Sequence, residues 1–227
     1  MAEGLAAQVI WFSRTGRPER GAYVEDGVIR LNLDGCAQTV CRADEVYIPG
    51  PHNLENALAA VAIAGAAGVP SGVMADVLRT FRGVEHRIET VRTLRGVTWI
   101  NDSKGTNVDS TLKAIATMTR PTVLILGGSD KKTSFAPLAQ AIAGAPMIEH
   151  CVLIGDTAQQ IEDALREAGY TAFTRAGYDF DACLAVCARE AKEGGNVLLS
   201  PACASFDMFK DYEHRGQVFK EKVAAQN

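Results

Sequence analysis

The stretch Thr122-Val-Leu-Ile-Leu-Gly-Gly-Ser-Asp-Lys-Lys132 passes from a continuous apolar run into glycines, a hydroxyl and charged side chains. A strand that is apolar on both faces is typical of a parallel sheet with helices on its two sides. Further strand-length runs follow the same pattern, at Cys151–Ile154, Thr171–Thr174 and Asn196–Leu199. Helical patterns separate the runs, near residues 110–118, 136–142, 158–168 and 180–192, with a last helix expected from Phe206. The alternation predicts a doubly wound, mainly parallel α/β sheet.

The residues just before this alternation have a different pattern. Two strand-like runs, Ile88–Leu94 and Val97–Asn101, enclose Arg95-Gly96 and predict a hairpin that leads into the sheet. Because the period changes just before this hairpin, we place a domain boundary there. The expected domains are residues 1–83 and residues 84–227.

The first of these domains is predicted to combine strands and helices. Residues 6–48 have the pattern of short strands, with a hairpin turn at Asp26-Gly27. Helices are expected at residues 54–64 and 71–81. The earlier helix is small and apolar almost all round, a pattern that predicts burial on more than one side.

Composition excludes several classes of function. The net charge is −4 and the basic residues do not cluster, so nothing indicates binding to nucleic acid or to an anionic membrane. No apolar run is long enough to span a bilayer and no signal-peptide pattern begins the chain, so a cytoplasmic location is expected. The six cysteines lack the spacing of a zinc site, and we interpret them as reduced, mostly buried thiols.

Polar residues cluster where three of the predicted strands end. The three segments are Asn101-Asp-Ser-Lys-Gly-Thr-Asn107, Gly127-Gly-Ser-Asp-Lys-Lys132 and Ser200-Pro-Ala-Cys-Ala-Ser-Phe-Asp207. In open α/β sheets, ligands bind beyond the carboxyl ends of the strands. Glycines, hydroxyls, lysines and carboxylates would therefore meet helix N-termini at one edge of the sheet. This combination predicts a cleft that binds anions.

Each loop also has a purely structural interpretation, since these polar residues are common helix N-caps and glycine is common in turns. The coincidence of three such loops at one edge favours a site. A phosphate loop ending in Lys132-Thr133 would need glycine where Leu126 and Lys131 stand, so it is rejected. A thiol nucleophile formed by Cys203 and His214 is disfavoured because no third group orients it.

Together these segments resemble the Mur ligases, in the order and spacing of that family. The matching stretches are Gly50-Pro-His-Asn-Leu-Glu-Asn56, Glu85-His-Arg-Ile-Glu89, Trp99-Ile-Asn-Asp-Ser-Lys-Gly-Thr-Asn107, Leu126-Gly-Gly-Ser-Asp-Lys131 and Leu198-Leu-Ser-Pro-Ala-Cys-Ala-Ser-Phe-Asp207, with Phe209 and Tyr212. They cover nearly the whole chain. Their details are most similar to the members that add D-glutamate.

This resemblance implies a three-domain ligase of which the chain is one part. Residues 1–83 would be the C-terminal part of the central ATP-binding domain, an incomplete α+β remnant. Residues 84–227 would be the Rossmann-like C-terminal domain that binds the amino acid. The family's uridine-nucleotide domain, phosphate loop, magnesium-binding carboxylate and carbamylated lysine would lie upstream. The chain alone is therefore expected to be inactive, and the complete enzyme is expected to be monomeric.

The roles of individual residues are implied by the same resemblance. Asn56, Arg87 and Asp102 are expected to bind ATP, with Asp102 at the ribose. The residues expected to bind D-glutamate are Lys104, Thr106, Lys131, Ser205, Phe206 and Tyr212. Phe206 stands where the family often has leucine. Lys104 and Lys131 are also expected to take part in catalysis.

The implied reaction uses ATP and Mg²⁺, and the Mg²⁺ ligands are not expected in this chain. ATP would phosphorylate the carboxylate of UDP-N-acetylmuramoyl-L-alanine, and the amine of D-glutamate would attack the acyl phosphate, a step of peptidoglycan precursor synthesis. Three alternatives remain open at this point: another Mur ligase, a folylpolyglutamate-type synthase, or a ligand-binding module without catalytic activity.

Overall fold

A computed structural model describes residues 7–130 and 132–226 of the chain. The chain divides into two compact units, one ending at Gly83 and one beginning at Val84. Each unit has a sheet and an apolar core of its own.

The first unit contains a four-stranded sheet and two helices. Its elements are β1 (Trp11–Ser13), β2 (Gly21–Glu25), β3 (Val28–Asn32), β4 (Ala37–Arg42), α1 (Pro51–Ala66) and α2 (Ser71–Thr80). β1 pairs parallel with β2, and the other pairs are antiparallel. Asp26 and Gly27 turn between β2 and β3 with φ of 51° and 73°. Such positive φ values suit a two-residue hairpin turn, so the predicted hairpin is present.

The prediction that this helix is buried on more than one side is wrong within this unit, because α1 buries only one face. Leu58 and Val61 pack into the apolar core, whereas Ile63 is 72% exposed. An apolar composition expresses a tendency to be buried, but it cannot specify how many neighbouring surfaces are available to a helix.

The second unit is built on a six-stranded sheet. Its elements are β5 (Glu89–Leu94), β6 (Val97–Asn101), α3 (Val108–Ile115), β7 (Thr122–Gly127), α4 (Ala136–Ala143), β8 (Ile148–Ile154), α5 (Ala158–Glu167), β9 (Phe173–Gly177), α6 (Phe180–Glu190), β10 (Asn196–Leu199) and α7 (Tyr212–Ala225). The strand order is β5-β6-β10-β7-β8-β9. Among the described strand pairs of this sheet, the β5–β6 hairpin is antiparallel and all the others are parallel. The predicted fold class is thus confirmed.

Helices cover both faces of this sheet. Leu124 and Leu126 of β7 face a core that includes residues of α3, α4 and α5. Val123 and Ile125, which alternate with them, face a second core formed with α6 and α7. Because successive side chains of a strand point to opposite faces, a continuous apolar run supplies both cores.

The last helix begins later than the sequence pattern suggested. Helix α7 starts at Tyr212, and the Asp211 carboxylate caps it by accepting a hydrogen bond from the His214 N–H at 2.7 Å. Residues 200–211 instead form a loop, in which the N–H groups of Met208 and Phe209 donate to the Ser205 carbonyl. The prediction failed because an apolar Phe206 resembles a helix start, whereas the cap that begins the helix is Asp211.

In the part of the chain that the structure describes, we find no helix with the length and apolar character needed to cross a bilayer.

Candidate functional site

Three polar loops emerge at the same edge of the six-stranded sheet. β10 lies between β6 and β7 and runs parallel to both, with Leu199 aligned to Asn101 on one side and to Ile125 on the other. The carboxyl ends of parallel strands meet at one edge, so the loops that follow these three strands are neighbours.

Backbone hydrogen bonds join the three loops. The Ala202 N–H donates to the Gly105 carbonyl at 2.9 Å, and the Ser129 N–H donates to the Ala204 carbonyl at 2.9 Å. The loop after β10 therefore connects the loop after β6 to the loop after β7. Gly128 makes this approach possible, because its φ is 148° and a Cβ atom there would lie 2.1 Å from the Ala204 oxygen.

Asp102 is enclosed at the base of the first loop. Its side chain is only 4% exposed. The Ser200 hydroxyl donates to its Oδ2 at 2.6 Å, and the Ile88 N–H donates to its Oδ1 at 3.2 Å. Burial raises the pKa of Asp102 to about 6, although these two hydrogen bonds and the charges of Arg87 and Arg215 act in the opposite direction.

Replacing Asp102 by asparagine is expected to reduce the pH dependence of this unit's stability. Because its folded pKa of about 6 lies above the ordinary value, the folded state keeps a proton that the unfolded state releases. The carboxyl's contribution to stability is therefore present below pH ~4 and is lost as the pH rises to about 6. From about pH 4.5 to about pH 7.5 the loss is roughly 2 kcal/mol.

Urea unfolding at these two pH values, followed by the fluorescence of the buried Trp99 in a Trp11→Phe background that removes the other tryptophan, measures this loss. Asp102→Asn should show a smaller decrease in unfolding free energy than the parent chain. Asp109→Asn, at an exposed carboxylate on α3, serves as the control. Equal decreases in the Asp102→Asn variant and the parent would contradict the assignment.

Lys104 and Tyr212 lie together at the mouth of the site. The Lys104 Nζ is 3.4 Å from the Tyr212 hydroxyl and 5.2 Å from the centre of its ring. The Ser103 hydroxyl donates to the Tyr212 carbonyl at 2.8 Å. Lys104 is exposed while Thr106 is partly buried behind it. The lysine ammonium is therefore available to an anion at this edge.

Ser205 is the most distinctive of the expected substrate residues. It is only 1% exposed, and its hydroxyl has no hydrogen-bond partner among the residues the structure describes. It caps no helix, because α7 begins at Tyr212 with Asp211 as its cap. The interpretation of Ser205 as an N-cap is therefore wrong. Phe206, the next residue, has an exposed side chain.

The remaining expected site residues are Lys131, Asn56 and Arg87, of which Arg87 acts through its charge on Asp102. Lys131 lies outside the described residues. Its neighbour Asp130 accepts hydrogen bonds from the Lys132 N–H and the Gln160 side chain. Asn56 is exposed on α1 in the first unit, and Arg87 is exposed in the second.

One cluster has side chains of the kind that bind metals. Side-chain atoms of Glu85, His86 and Glu89 lie within 4.8 Å of one another. However, the Lys220 ammonium lies 2.9 Å from Glu85 and 2.7 Å from Glu89. This one ammonium offsets half of the charge of the two carboxylates and occupies an oxygen of each, which disfavours a magnesium ion in this cluster.

The sequence interpretation missed an arginine that joins two of the loops. The Arg215 guanidinium is fully buried, and it contacts Ser103 in the first loop and Cys203 and Ala204 in the third. Burial lowers its pKa to about 10, so it remains charged at neutral pH. The sequence contained one sign that Arg215 is buried: it lies four residues before Phe219, so the two residues share a face of α7, and that face is buried.

Cys203 and His214 do not form a nucleophile–base pair. The Cys203 Sγ lies 3.3 Å from the Thr157 hydroxyl, and burial raises the pKa of the thiol. The His214 Nδ1 accepts a hydrogen bond from the Lys210 N–H. The thiol is therefore a packing group, as the sequence analysis favoured.

Comparisons with known proteins agree with this architecture. The profile of the family described as Mur ligase, glutamate ligase domain, matches residues 86–203, more than half of the chain. The UDP-N-acetylmuramoylalanine–D-glutamate ligase of Thermoanaerobacter sp. (strain X514) is 46% identical over 219 residues, which cover 96% of this chain and 48% of the relative. The chain thus spans about half the length of the curated relatives it matches.

Two solved structures share the fold. The UDP-N-acetylmuramate-alanine ligase of Thermotoga maritima aligns with a TM-score of 0.62 at 18% identity, over 88% of this chain and 44% of that chain. FolC of E. coli in complex with ADP aligns with a TM-score of 0.60 at 16% identity, over 90% of this chain and 47% of that chain.

Proposed function

The chain belongs to the Mur ligase family, and from this premise we propose that it provides the amino-acid-binding part of an ATP-dependent ligase that joins D-glutamate to UDP-N-acetylmuramoyl-L-alanine. Residues 84–227 are assigned to the domain that receives D-glutamate. Residues 1–83 are assigned to the C-terminal part of the ATP-binding domain. Identity of 46% to a ligase named for D-glutamate supports this substrate over others used in the family.

The observation that carries the proposal is the buried hydroxyl of Ser205, which has no hydrogen-bond partner among the described residues. A buried hydroxyl without a protein partner is costly, so an ordered water or a ligand usually completes it. This one lies in a loop that is joined to the loop carrying the exposed Lys104. D-glutamate carries two carboxylates, which need cations and O–H or N–H donors. Lys104, Ser205 and, from the sequence, Lys131 supply groups of this kind.

In the proposed reaction, ATP phosphorylates the carboxylate of the muramoyl-alanine to give an acyl phosphate. The D-glutamate amine attacks the acyl carbon, the amine loses a proton, and inorganic phosphate leaves. The contribution of this chain is to bind and orient D-glutamate, so that its amine faces the acyl carbon. Lys104 and Lys131 would also offset the negative charge on the reacting groups.

Nucleotide binding is proposed for Asn56, Arg87 and Asp102. The exposed amide and guanidinium can donate to the nucleotide. Each oxygen of Asp102 accepts one hydrogen bond from a described residue, and a carboxylate oxygen can accept a second hydrogen bond from a ribose hydroxyl. Mg²⁺ is expected with the nucleotide, and none of the described residues is assigned to it.

The test is a ligation assay with the complete ligase that contains this chain. Phosphate release is measured with ATP and magnesium in parallel assays. UDP-N-acetylmuramoyl-L-alanine, and UDP-linked muramoyl acceptors with no peptide or a longer one, are each given D-glutamate, L-glutamate, L-alanine or diaminopimelate, and a folate is given L-glutamate. We expect turnover with D-glutamate alone. Turnover with a different amino acid would indicate another Mur ligase, and turnover with L-glutamate and a folate would indicate a folylpolyglutamate-type synthase. No turnover with any combination would favour a non-catalytic binding module.

A further inference from the structure

We propose that Arg215 is a positioning residue, which holds the loops bearing Lys104 and Ser205 in the geometry that receives the amino-acid substrate. The inference rests on the proposed function and adds to it a residue that does not itself contact the substrate. Its basis is the set of contacts that the buried guanidinium makes with both loops.

The guanidinium uses its full set of donors on these loops. Its Nε donates to the Ser103 hydroxyl at 2.9 Å and its Nη2 to the Ser103 carbonyl at 2.8 Å. Both Nη atoms donate to the Cys203 carbonyl at 3.1 Å, and Nη1 also reaches the Ala204 carbonyl at 3.3 Å. A guanidinium has five N–H donors in a fixed plane. Five contacts therefore fix the two loops relative to one rigid group.

These contacts lie next to the proposed substrate residues in the chain. Ser103 directly precedes Lys104, and Ala204 directly precedes Ser205. Fixing a carbonyl fixes the peptide plane that it shares with the next residue. Arg215 therefore sets the backbone from which the Lys104 and Ser205 side chains project.

The helix that carries Arg215 reinforces the same arrangement. Tyr212 lies one turn earlier on α7, where its carbonyl accepts from the Ser103 hydroxyl and its own hydroxyl lies 3.4 Å from Lys104. The start of α7 and the first loop are therefore connected through three side chains: Ser103, Lys104 and Arg215.

A role in packing alone does not explain an arginine at this position. Residues 215, 219 and 223 share one helical face, and the other two are the buried Phe219 and Val223. None of the ion pairs among the described residues includes Arg215, so its direct partners are carbonyl and hydroxyl oxygens, and the Asp102 and Asp207 carboxylates act on its charge only at longer range. An isolated buried charge is costly, and an apolar residue would suit the core better unless the polar contacts have a use.

The experiment compares Arg215→Lys, Arg215→Met and Ser103→Ala in the complete ligase. Lys222→Met is the control, because Lys222 lies on the same helix but pairs with Asp181. KM for D-glutamate, KM for the UDP-linked substrate and the melting temperature are measured for each. Lysine keeps the charge but cannot reproduce the planar donor set.

We expect both Arg215 variants to raise KM for D-glutamate about fivefold or more, with KM for the UDP-linked substrate unchanged. Ser103→Ala removes the hydroxyl that accepts from the Arg215 Nε and donates to the Tyr212 carbonyl, and it should produce a smaller increase because the other Arg215 contacts remain. Lys222→Met should produce none. If the Arg215 variants do not fold, Ser103→Ala decides.

A folded Arg215 or Ser103 variant with the parental KM for D-glutamate and only a lower melting temperature would overturn the inference. A parent enzyme that shows no turnover with D-glutamate would instead refute the proposed function, and the inference with it.

Discussion

Replacing Ser205 by alanine should raise KM for D-glutamate about tenfold or more while leaving thermal stability unchanged or higher. The kinetic loss follows because a hydrogen bond to a charged carboxylate is worth ~1.5–3 kcal/mol. Thermal stability, in contrast, should not fall, because the buried Ser205 hydroxyl has no partner among the described residues. Removing an unsatisfied polar group relieves a desolvation cost in the unliganded protein.

This combination separates a binding role from a structural one. A helix cap lost to alanine would lower stability by about 1 kcal/mol and leave KM alone. Asp179→Ala is a suitable control, since the Asp179 carboxylate caps α6 by accepting a hydrogen bond from the Ala182 N–H at 2.9 Å. Steady-state kinetics in the complete ligase and thermal unfolding of the same variants provide both readouts. A lower melting temperature with the parental KM would show that Ser205 is structural.

The same reasoning applies to Lys104 and Lys131. The structure describes Lys104 but not Lys131. Lys131→Ala is expected from the sequence to raise KM for D-glutamate to a similar extent, without a comparable change in KM for ATP. Lys104→Ala should do the same with little loss of stability, because Lys104 is an exposed residue whose contacts with Tyr212 are at the surface.

Replacing Gly128 by alanine should lower the free energy of unfolding of the second unit by roughly 3 kcal/mol or more. Its φ of 148° is unfavourable for an L side chain, and the added Cβ would lie 2.1 Å from the Ala204 oxygen. To relieve this contact, the loop after β10 must move away from the loop after β7. The hydrogen bond from the Ser129 N–H to Ala204 would then be lost.

Gly169→Ala provides the matched control, because Gly169 also has a positive φ, of 78°, but no atom lies near its Cβ position. Strain alone should cost that variant about 1 kcal/mol. Urea unfolding of both variants in the same Trp11→Phe background, followed by the fluorescence of Trp99, measures the difference. If Gly128→Ala is no more destabilised than Gly169→Ala, the close approach of the two loops is not a feature of the protein in solution.

The local pattern of the sequence was sufficient to predict the fold of the second unit. The β5–β6 hairpin, the parallel strands and the helices on both faces all follow from periodicity, since an apolar run such as 122–127 requires cover on two sides. Prediction failed where a local signal was ambiguous. Phe206 suggested a helix start, but the cap that begins α7 is Asp211.

The sequence predicted only part of the candidate site. Its three polar loops were identified because each directly follows a strand, and parallel strands deliver such loops to one edge. The residues that join the loops were missed. Ser200, Ser103 and Arg215 contact partners about a hundred positions away, such as the Asp102 carboxylate in the case of Ser200.

The sequence by itself therefore determined the order of strands and helices, the alternation that covers the sheet and the loops that carry polar groups. These depend on interactions between residues that are close in the chain. Only the tertiary structure decided that Asp102 is buried with a raised pKa, that the Ser205 hydroxyl has no partner among the described residues, and that Arg215 contacts two loops. Burial and hydrogen-bond partners are set by packing of distant segments, and no local pattern encodes them.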